Sequence, residues 1–348
     1  MRSILRKSLI AMLFPFLTSY IDKKDFDKYH IESGINLTCF KGKNFDEIDK
    51  KAIDRLIENG FYSVVANRVY FQDNLNSSNI FNTSNFSEKH LESLFSSYNF
   101  NKTLRILINT KTDESRTLIN PSDINLWYKY YYNIIKENLE LANKNNIEKF
   151  DIVSELDNLL ISHPKLFKDL ALNIKNIYNK DIGISVTFTN DEDLKKIILL
   201  NDFPIDFIGL DFYVSMENDS LKDKFFEPLY YLKRINEYSK KEIIIMELGY
   251  RSVNKGNKKP MFNYKIQDYK DDKIQKESYE NFFKALLSKE LGNNKIKGIN
   301  LWVTDNNFYY EDILNSNSTG YSIFNKEAEN VIKKFNKDRL YYFLKKKL

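Results

Sequence analysis

The sequence predicts a single closed (β/α)8 barrel, because eight strand-like segments alternate with amphipathic helical segments along most of the chain. Its 348 residues are enough for one such barrel or for two ordinary domains, and no long linker divides them. An open doubly wound sheet should carry a glycine-rich phosphate turn, and none is visible among only 10 glycines. We therefore assign residues 31–348 to one barrel domain.

Eight segments have the β-branched and aromatic residues that favour strands. In chain order they are residues 34–40, 61–71, 103–110, 150–155, 182–189, 207–215, 242–249 and 296–304. Between them, apolar residues recur at helical spacing. Clear examples of helical segments are residues 45–60, 124–146, 163–178 and 274–291. The second of these follows Asn120, Pro121, Ser122 and Asp123, which are typical of a helix start.

Residues 1–20 form a short apolar segment that differs from the rest of the chain. Arg2, Arg6 and Lys7 precede the apolar run 9–17, an arrangement typical of a secretory signal and too short to predict a spanning helix. We expect an exported protein, extracellular or held at the cell surface, in which this segment could associate with a membrane. The alternative is an N-terminal helix packed on the barrel.

The charge and the cysteine count exclude several classes of protein. The net charge of +5 comes from interspersed residues of both signs, which indicates a solvated surface and no nucleic-acid partner. One cysteine, Cys39, excludes an internal disulfide and a zinc site built from several thiolates. His30, His90 and His163 are too widely separated in sequence to indicate a metal site. We expect a monomer without a metal ion or cofactor.

Two glutamates lie at the ends of strand-like runs. Glu155 ends the fourth predicted strand, and Glu247 lies near the end of the seventh. An ionised glutamate loses hydration in a buried strand, so a strand that ends on one suggests a charge held there for use. In a barrel the carboxyl ends of the strands converge, and two such carboxylates can hydrolyse a glycosidic bond. The alternative is that each glutamate pairs with a neighbouring cation and has no chemical role.

Other residues at strand ends could contact a substrate. Tyr213 shares its inward orientation with Asp211 and could donate a hydrogen bond to a nucleophile, whereas Trp302 could stack under a pyranose ring. Core packing is the alternative for both, and Trp127 is interpreted as structural because it lies inside a helical pattern. The amides and carboxylates that could bond sugar hydroxyls, or equally belong to solvated loops, are Asn36, Gln72, Asn109, Asp305 and Asn306.

Several phrases of the sequence resemble clan A of the glycoside hydrolases, and within it glycoside hydrolase family 113, whose characterised members are β-1,4-mannanases. The matching phrases are GINLTCF, IVSELDNL, DFIGLDFYVSM, MELGYRSV, GINLWVTDN and GYSIFNKEAENVI. The resemblance covers residues 31–337, and the phrase MELGYRS is its most specific part.

The resemblance implies a retaining double displacement on a β-linked polysaccharide or oligosaccharide, most like an endo-β-1,4-mannanase. Glu247 would be the nucleophile and Glu155 the acid/base, with the two carboxyl groups about 5 to 5.5 Å apart. Arg251 would tether the loop after strand seven or orient Glu247. No cofactor is implied, since these side chains perform the chemistry alone.

The sequence departs from the family pattern at two places. Clan members commonly have asparagine before the acid/base, where it contacts the sugar 2-hydroxyl, and this chain has Ser154, whose hydroxyl could reach the sugar through water. After strand three the family tends to carry a Lys-Pro-His segment, and this chain has INTKTDES. These departures favour two alternatives: a carbohydrate-binding barrel that has lost catalysis, or a surface interaction protein.

Overall fold

The computed structural model describes residues 31–38, 47–82, 88–216, 226–258, 260–261, 269–303, 313–314 and 319–347. Eight parallel strands pair side by side, and the eighth pairs with the first, so the barrel closes and the predicted fold class is confirmed. The strands are β1 (Glu32–Thr38), β2 (Ser63–Gln72), β3 (Asn101–Thr110), β4 (Lys149–Ser154), β5 (Asp181–Phe188), β6 (Phe207–Phe212), β7 (Glu242–Leu248) and β8 (Ile296–Leu301).

Helices connect the strands and cover the outside of the barrel. They are α1 (Glu47–Glu58), α2 (Glu88–Ser97), α3 (Ile124–Lys144), α4 (Asp157–Ser162), α5 (Pro164–Lys175), α6 (Leu194–Leu200), α7 (Phe226–Tyr238), α8 (Asp272–Leu286) and α9 (Glu327–Lys347). Helix α3 begins after Asp123, whose side chain accepts a hydrogen bond from the Leu126 N–H group, as the preceding turn residues predict. No helix in the described ranges is long and apolar enough to span a membrane.

The structure differs from the predicted elements mainly at their ends. A two-residue strand, Phe81–Asn82, pairs antiparallel with the end of β2 and was not predicted, because it is too short to show a pattern. The sixth predicted strand is shorter than expected and ends at Phe212. Cys39, His30 and residues 1–20 lie outside the described residues.

The barrel interior contains an apolar layer and a polar layer. Val65, Phe207, Ile244 and Met246 form a small buried cluster that is separate from the main core between strands and helices. Closer to the carboxyl ends of the strands, the interior side chains are polar or charged. They are Asn36, Asn67, Arg105, Asp151, Ser185, Asp211 and Glu247. The strands therefore bring charged groups together inside the barrel.

Interior packing requires a glycine at position 183. A Cβ atom on Gly183 would lie 2.1 Å from Cε2 of the Phe207 ring, whereas one on Gly298, another glycine of the barrel strands, would lie 3.2 Å from Ile244 Cγ2. Gly183→Ala should therefore lower the free energy of unfolding by about 1–3 kcal/mol, the usual cost of overpacking a core. Gly298→Ala, the matched control, should cost less than the Gly183 variant. Urea denaturation measures both, and equal stability of the two variants would contradict this packing.

Candidate active site

The two predicted catalytic glutamates lie side by side at the carboxyl ends of the barrel strands. Glu155 follows β4 directly, and Glu247 is the next-to-last residue of β7. One carboxylate oxygen from each of Glu155, Glu247 and Asp211 lies within 4.8 Å of the other two. The two glutamate residues are 7% and 6% exposed, so most of each is shielded and only a small part of its surface is open to solvent.

Two neighbours fix the carboxylate of Glu247. The Tyr213 hydroxyl donates a hydrogen bond to Oε2 at 2.8 Å, and Nη1 of Arg105 donates to Oε1 at 2.5 Å. Both oxygens of Glu247 therefore have a donor, which holds the carboxylate in one orientation and stabilises its ionised form.

Arg105 is a fully buried cation that binds several carboxylates at once. Its Nη2 atom donates to Asp211, and its Nε atom donates to Asp151 at 3.1 Å and to the Ser154 hydroxyl at 3.0 Å. The strand register explains this arrangement, since Arg105 lies opposite Asp151 across β3 and β4, and Asp211 lies opposite Glu247 across β6 and β7. The planar guanidinium group suits such multiple recognition better than a lysine would.

Burial and the shared cation have opposite effects on these carboxyl groups. Burial raises the pKa of Asp151 to about 6 although Arg105 opposes the shift. Burial also raises the pKa of Asp211 well above its ordinary value, with Glu247 and Glu155 adding to the effect. The pKa of Glu247 is raised by burial, and Arg105, Arg116 and Tyr213 limit the increase. The cluster therefore holds protons more readily than exposed carboxylates do.

Glu155 is held by a different set of contacts. Its backbone has φ = 52°, a left-handed conformation that costs a non-glycine residue about 1–3 kcal/mol and is concentrated at functional sites. The turn is fixed by the hydrogen bond from its N–H group to the Ser185 carbonyl. The Thr187 hydroxyl donates to Oε1 at 3.1 Å, and Nη1 of Arg116 forms an ion pair with Oε2 at 3.1 Å.

A second buried ion pair supports Thr187. Lys196 binds the carboxylate of Asp157 at 2.5 Å and donates to the Thr187 carbonyl, while Asp157 accepts from the Thr187 N–H group at 3.4 Å. Burial raises the pKa of Asp157 to about 6, and Lys196 opposes the shift. Asp157 and Lys196 thus position the residue that contacts Glu155.

Three close carboxyl groups could also accept a metal ion. In this cluster, however, Arg105 binds Asp211 and Glu247, and Arg116 binds Glu155. Each carboxylate of the group already has a guanidinium counterion, so the donor set is better suited to proton transfer and nucleophilic chemistry than to metal coordination.

Three predicted substrate-binding residues have their polar atoms inside the protein. Ser154 donates to Asp151 and accepts from Arg105, so its hydroxyl is bonded within the charged cluster. Asn36 donates to the Met246 carbonyl, and its oxygen accepts from Asn67. The third residue is Gln72. All three residues are essentially fully buried, so the structure favours hydrogen bonds within the protein over direct contact with a sugar.

Both polar atoms of the Gln72 amide are bonded within the protein. Its oxygen accepts from the Trp127 indole N–H at 2.9 Å, and its nitrogen donates to the Asn74 carbonyl at 2.6 Å. Trp127 is fully buried and stacks on Tyr131 with ring centroids 4.9 Å apart, as its structural interpretation predicted.

The remaining predicted residues are half-buried or lie outside the described part of the chain. Asn109 is half-buried near the end of β3, and Trp302 is half-buried directly after β8, where its backbone N–H group donates to the Leu248 carbonyl at 2.9 Å. Arg251 is half-buried in the loop after β7. Asp305 and Asn306 are outside the described residues.

Sequence reasoning missed Arg105, Asp151, Arg116 and Thr187. Arg105 carried a usable signal, because it interrupts the apolar strand TLRILINT as Glu247 interrupts its own strand. Arg116 carried none, because it comes from a short 3-10 helix in the loop after β3, whose path no sequence pattern specifies.

A (β/α)8 barrel with two adjacent carboxyl groups at the carboxyl ends of its strands has the architecture of a barrel glycoside hydrolase. The family model described as Glycoside Hydrolase Family 113 matches residues 36–326. The chain therefore belongs to glycoside hydrolase family 113, and it is a glycoside hydrolase. No curated protein matches the sequence.

Solved structures show the same fold. A GH113 β-1,4-mannanase is 17% identical, with a TM-score of 0.73, over 89% of this chain and 99% of its own. The GH113 β-mannanase AaManA from Alicyclobacillus acidocaldarius, in complex with ManMIm, is 16% identical, with a TM-score of 0.72, over 88% and 97% of the two chains. The GH5_18 E140A variant from Bifidobacterium longum, in complex with Manb1-4GlcNAc, is 11% identical, with a TM-score of 0.58, over 90% and 79%.

Removal of Arg105 should destabilise the protein in a pH-dependent way. Arg105→Met leaves buried carboxyl groups without their counterion, so it should lower the free energy of unfolding by about 3–5 kcal/mol near neutral pH. The pKa of Asp151 is higher in the folded protein than in the unfolded chain. Its contribution to the free energy of unfolding is therefore complete below the unfolded pKa and is lost as pH rises through the folded value of about 6. Because Arg105 limits that loss, the deficit of the variant should be larger at pH 8 than at pH 5.

Urea denaturation at both pH values measures this effect. The control is Lys233→Met, which removes an exposed ion pair with Glu290 and should cost about 1 kcal/mol or less. A deficit for the Arg105 variant that is no larger than the control, or that does not depend on pH, would show that the cluster is not held by Arg105.

Proposed function

We propose that this protein hydrolyses β-1,4-linked mannan or manno-oligosaccharides by a retaining double displacement, with Glu247 as nucleophile and Glu155 as acid/base. The observation that carries the proposal is the separation of the two carboxylates, whose nearest oxygens lie within 4.8 Å. Retaining enzymes have carboxyl groups about 5–5.5 Å apart, whereas inverting enzymes leave about 6.5–9.5 Å for a water molecule.

The contacts of Glu247 suit a nucleophile. Arg105 and Tyr213 donate to its two oxygens and stabilise the anion that must attack the anomeric carbon. In the first step a bond forms from Glu247 to that carbon while the glycosidic bond breaks, and Glu155 gives its proton to the departing oxygen. In the second step Glu155 takes a proton from water, whose oxygen displaces Glu247 and releases the sugar.

The contacts of Glu155 differ from those of Glu247. One of its carboxylate oxygens accepts from the neutral Thr187 hydroxyl, and the other pairs with Arg116, whose side chain is 20% exposed. Arg105 does not donate to it, so the two glutamates have different electrostatic environments. Such a difference is what assigns separate acid/base and nucleophile roles to two carboxyl groups.

Mannan is proposed as the substrate because the chain belongs to glycoside hydrolase family 113, and two of the similar structures from that family are β-mannanases. Trp302 is half-buried after β8 and offers an aromatic face for a sugar ring. The hydroxyl of Ser154 is bonded to Asp151 and Arg105. We therefore propose that other groups at the carboxyl ends of the strands recognise the 2-hydroxyl of the sugar.

We also propose that the protein is exported or held at the cell surface. The support is the charged start and apolar run within residues 1–20. Fractionation of cells that express the full chain, followed by N-terminal sequencing of the recovered protein, would test this proposal.

Substitution of either glutamate should separate the two roles. Glu247→Ala should lower kcat on manno-oligosaccharides by about 10³-fold or more, because no covalent intermediate can form. Glu155→Ala should lose about 10²–10⁴-fold on the same substrates and much less on aryl β-mannosides with good leaving groups, which need no protonation. Added azide should rescue both variants, giving the α-azide with Glu247→Ala and the β-azide with Glu155→Ala.

The stereochemistry of the first product distinguishes the mechanism. Proton NMR of early hydrolysis should show the β-anomer before mutarotation. Release of the α-anomer would exclude a retaining mechanism, and hydrolysis unaffected by either substitution would exclude both residues. Binding of manno-oligosaccharide without turnover would favour a barrel that has lost catalysis.

The hydroxyl group of Tyr213 should determine the pH at which kcat/KM falls on the acid side of the optimum. Its hydrogen bond lowers the pKa of Glu247, so Tyr213→Phe should raise that pKa further and move the acid limb of the kcat/KM profile to higher pH. We expect about a 10-fold loss of kcat/KM at the optimum. Tyr178→Phe is the control, because this buried hydroxyl bonds the Ile147 carbonyl before β4. An unmoved acid limb in the Tyr213 variant would contradict the contact.

A further inference from the structure

Arg116 is a cation at the acid/base whose presence the proposed mechanism does not explain. It lies in the 3-10 helix Arg116–Leu118 after β3, and its side chain is 20% exposed. Within the described residues, its guanidinium group has one ion-pair partner, Oε2 of Glu155 at 3.1 Å. A guanidinium group carries five N–H donors, so this one ion pair uses only part of its bonding capacity.

The ion pair conflicts with the first step of the reaction. Glu155 must carry a proton to act as a general acid, and a protonated carboxyl group is neutral and no longer balances the charge of Arg116. When Glu155 is protonated, Arg116 loses its counterion while most of its side chain remains buried. The alternative carboxylates are engaged elsewhere, since Asp211 and Glu247 both bind Arg105.

An anionic group on the substrate would resolve this conflict. A carboxylate binds guanidinium through two parallel hydrogen bonds, which is stronger than the single contact that Glu155 makes. Binding of such a group would replace Glu155 as the partner of Arg116 and would leave Glu155 free to hold its proton. Neutral sugar hydroxyls could bond the same group, but they would not restore its charge balance.

Arg116 lies beside the group that would protonate the glycosidic oxygen. As a general acid, Glu155 contacts that oxygen, and Arg116 contacts Glu155. An anion bound to Arg116 would therefore lie close to the glycosidic oxygen, and the proposal assigns it to the sugar on the leaving-group side. We propose that Arg116 binds a carboxylate on the leaving-group sugar, and that the preferred substrates are β-glycans containing uronic acid residues. This proposal rests on the proposed function.

A pair of substrates that differ only in charge tests this proposal. The first is β-mannosyl-1,4-glucuronic acid, and the second is its methyl ester, which has nearly the same shape without the charge. The wild-type protein should cleave the acid with a kcat/KM about 10- to 100-fold above that of the ester, the range expected for a charge-assisted contact. Release of mannose measures the rates.

Two variants of Arg116 and one control variant test whether Arg116 causes the preference for the acid over the ester. Arg116→Gln should bring the ratio of acid to ester close to one, mainly by loss on the acid, whereas Arg116→Lys should keep part of it. Lys111→Gln removes an exposed charge of the same loop, which is paired with Asp73, and should keep the wild-type ratio. A wild-type ratio near one, or a ratio that survives in Arg116→Gln, would overturn the proposal.

Measurement of equilibrium binding separates the test of the Arg116 site from the test of the proposed hydrolysis. Calorimetric titration of the two disaccharides into the wild-type protein and Arg116→Gln should show tighter binding of the acid that depends on Arg116. Charge-dependent binding without any turnover would leave the Arg116 site standing and remove the proposed hydrolysis. Turnover with equal affinity for acid and ester would remove the Arg116 site and leave the hydrolysis standing.

Discussion

The active site depends on one buried arginine inside the barrel. Arg105 projects from β3 into a layer where other barrels carry apolar side chains, and its guanidinium group binds Asp151, Asp211 and Glu247. Burial of four ionisable groups costs free energy unless their charges are paired and their hydrogen bonds are made. The planar donors of Arg105 meet that requirement with a fixed geometry, so the orientation of Glu247 follows from the position of a strand rather than of a loop. The nucleophile role proposed for Glu247 would gain from such support, because a nucleophile must stay within a fraction of an ångström of its target.

The two glutamates differ because their supports differ. Glu247 is fixed from inside the barrel by Arg105 and from β6 by Tyr213, whereas Glu155 sits on a left-handed turn with Thr187 and Arg116 around its carboxyl group. The arginine cluster also explains the serine at position 154. Ser154 is a ligand of the cluster, bonded to both Arg105 and Asp151. The departure from the family pattern therefore has a structural reason within this chain.

The sequence predicts the barrel and the two carboxylates because their signals are local. Eight alternations of strand and helix define the fold, and Glu155 and Glu247 stand out against apolar strands. Arg105 gives a similar local signal, but its partners depend on register across β3, β4, β6 and β7, which no single segment contains. Asn36 and Gln72 show the opposite case. Their position near strand ends suggested sugar contacts, whereas the structure uses their amides inside the protein, because side-chain direction decides exposure. Arg116 depends on the path of a loop and carries no sequence signal.

In the proposed mechanism Glu247, held by Arg105, forms the covalent bond to the sugar. Incubation with a 2-deoxy-2-fluoro-β-mannosyl fluoride, followed by intact-mass and peptide mass spectrometry, tests it most directly, because the fluorine slows release of the intermediate more than its formation. We expect one added fluoromannosyl group per chain, located on Glu247. Unlabelled protein that still hydrolyses β-mannosides, or a label on Glu155 or Asp211, would contradict it.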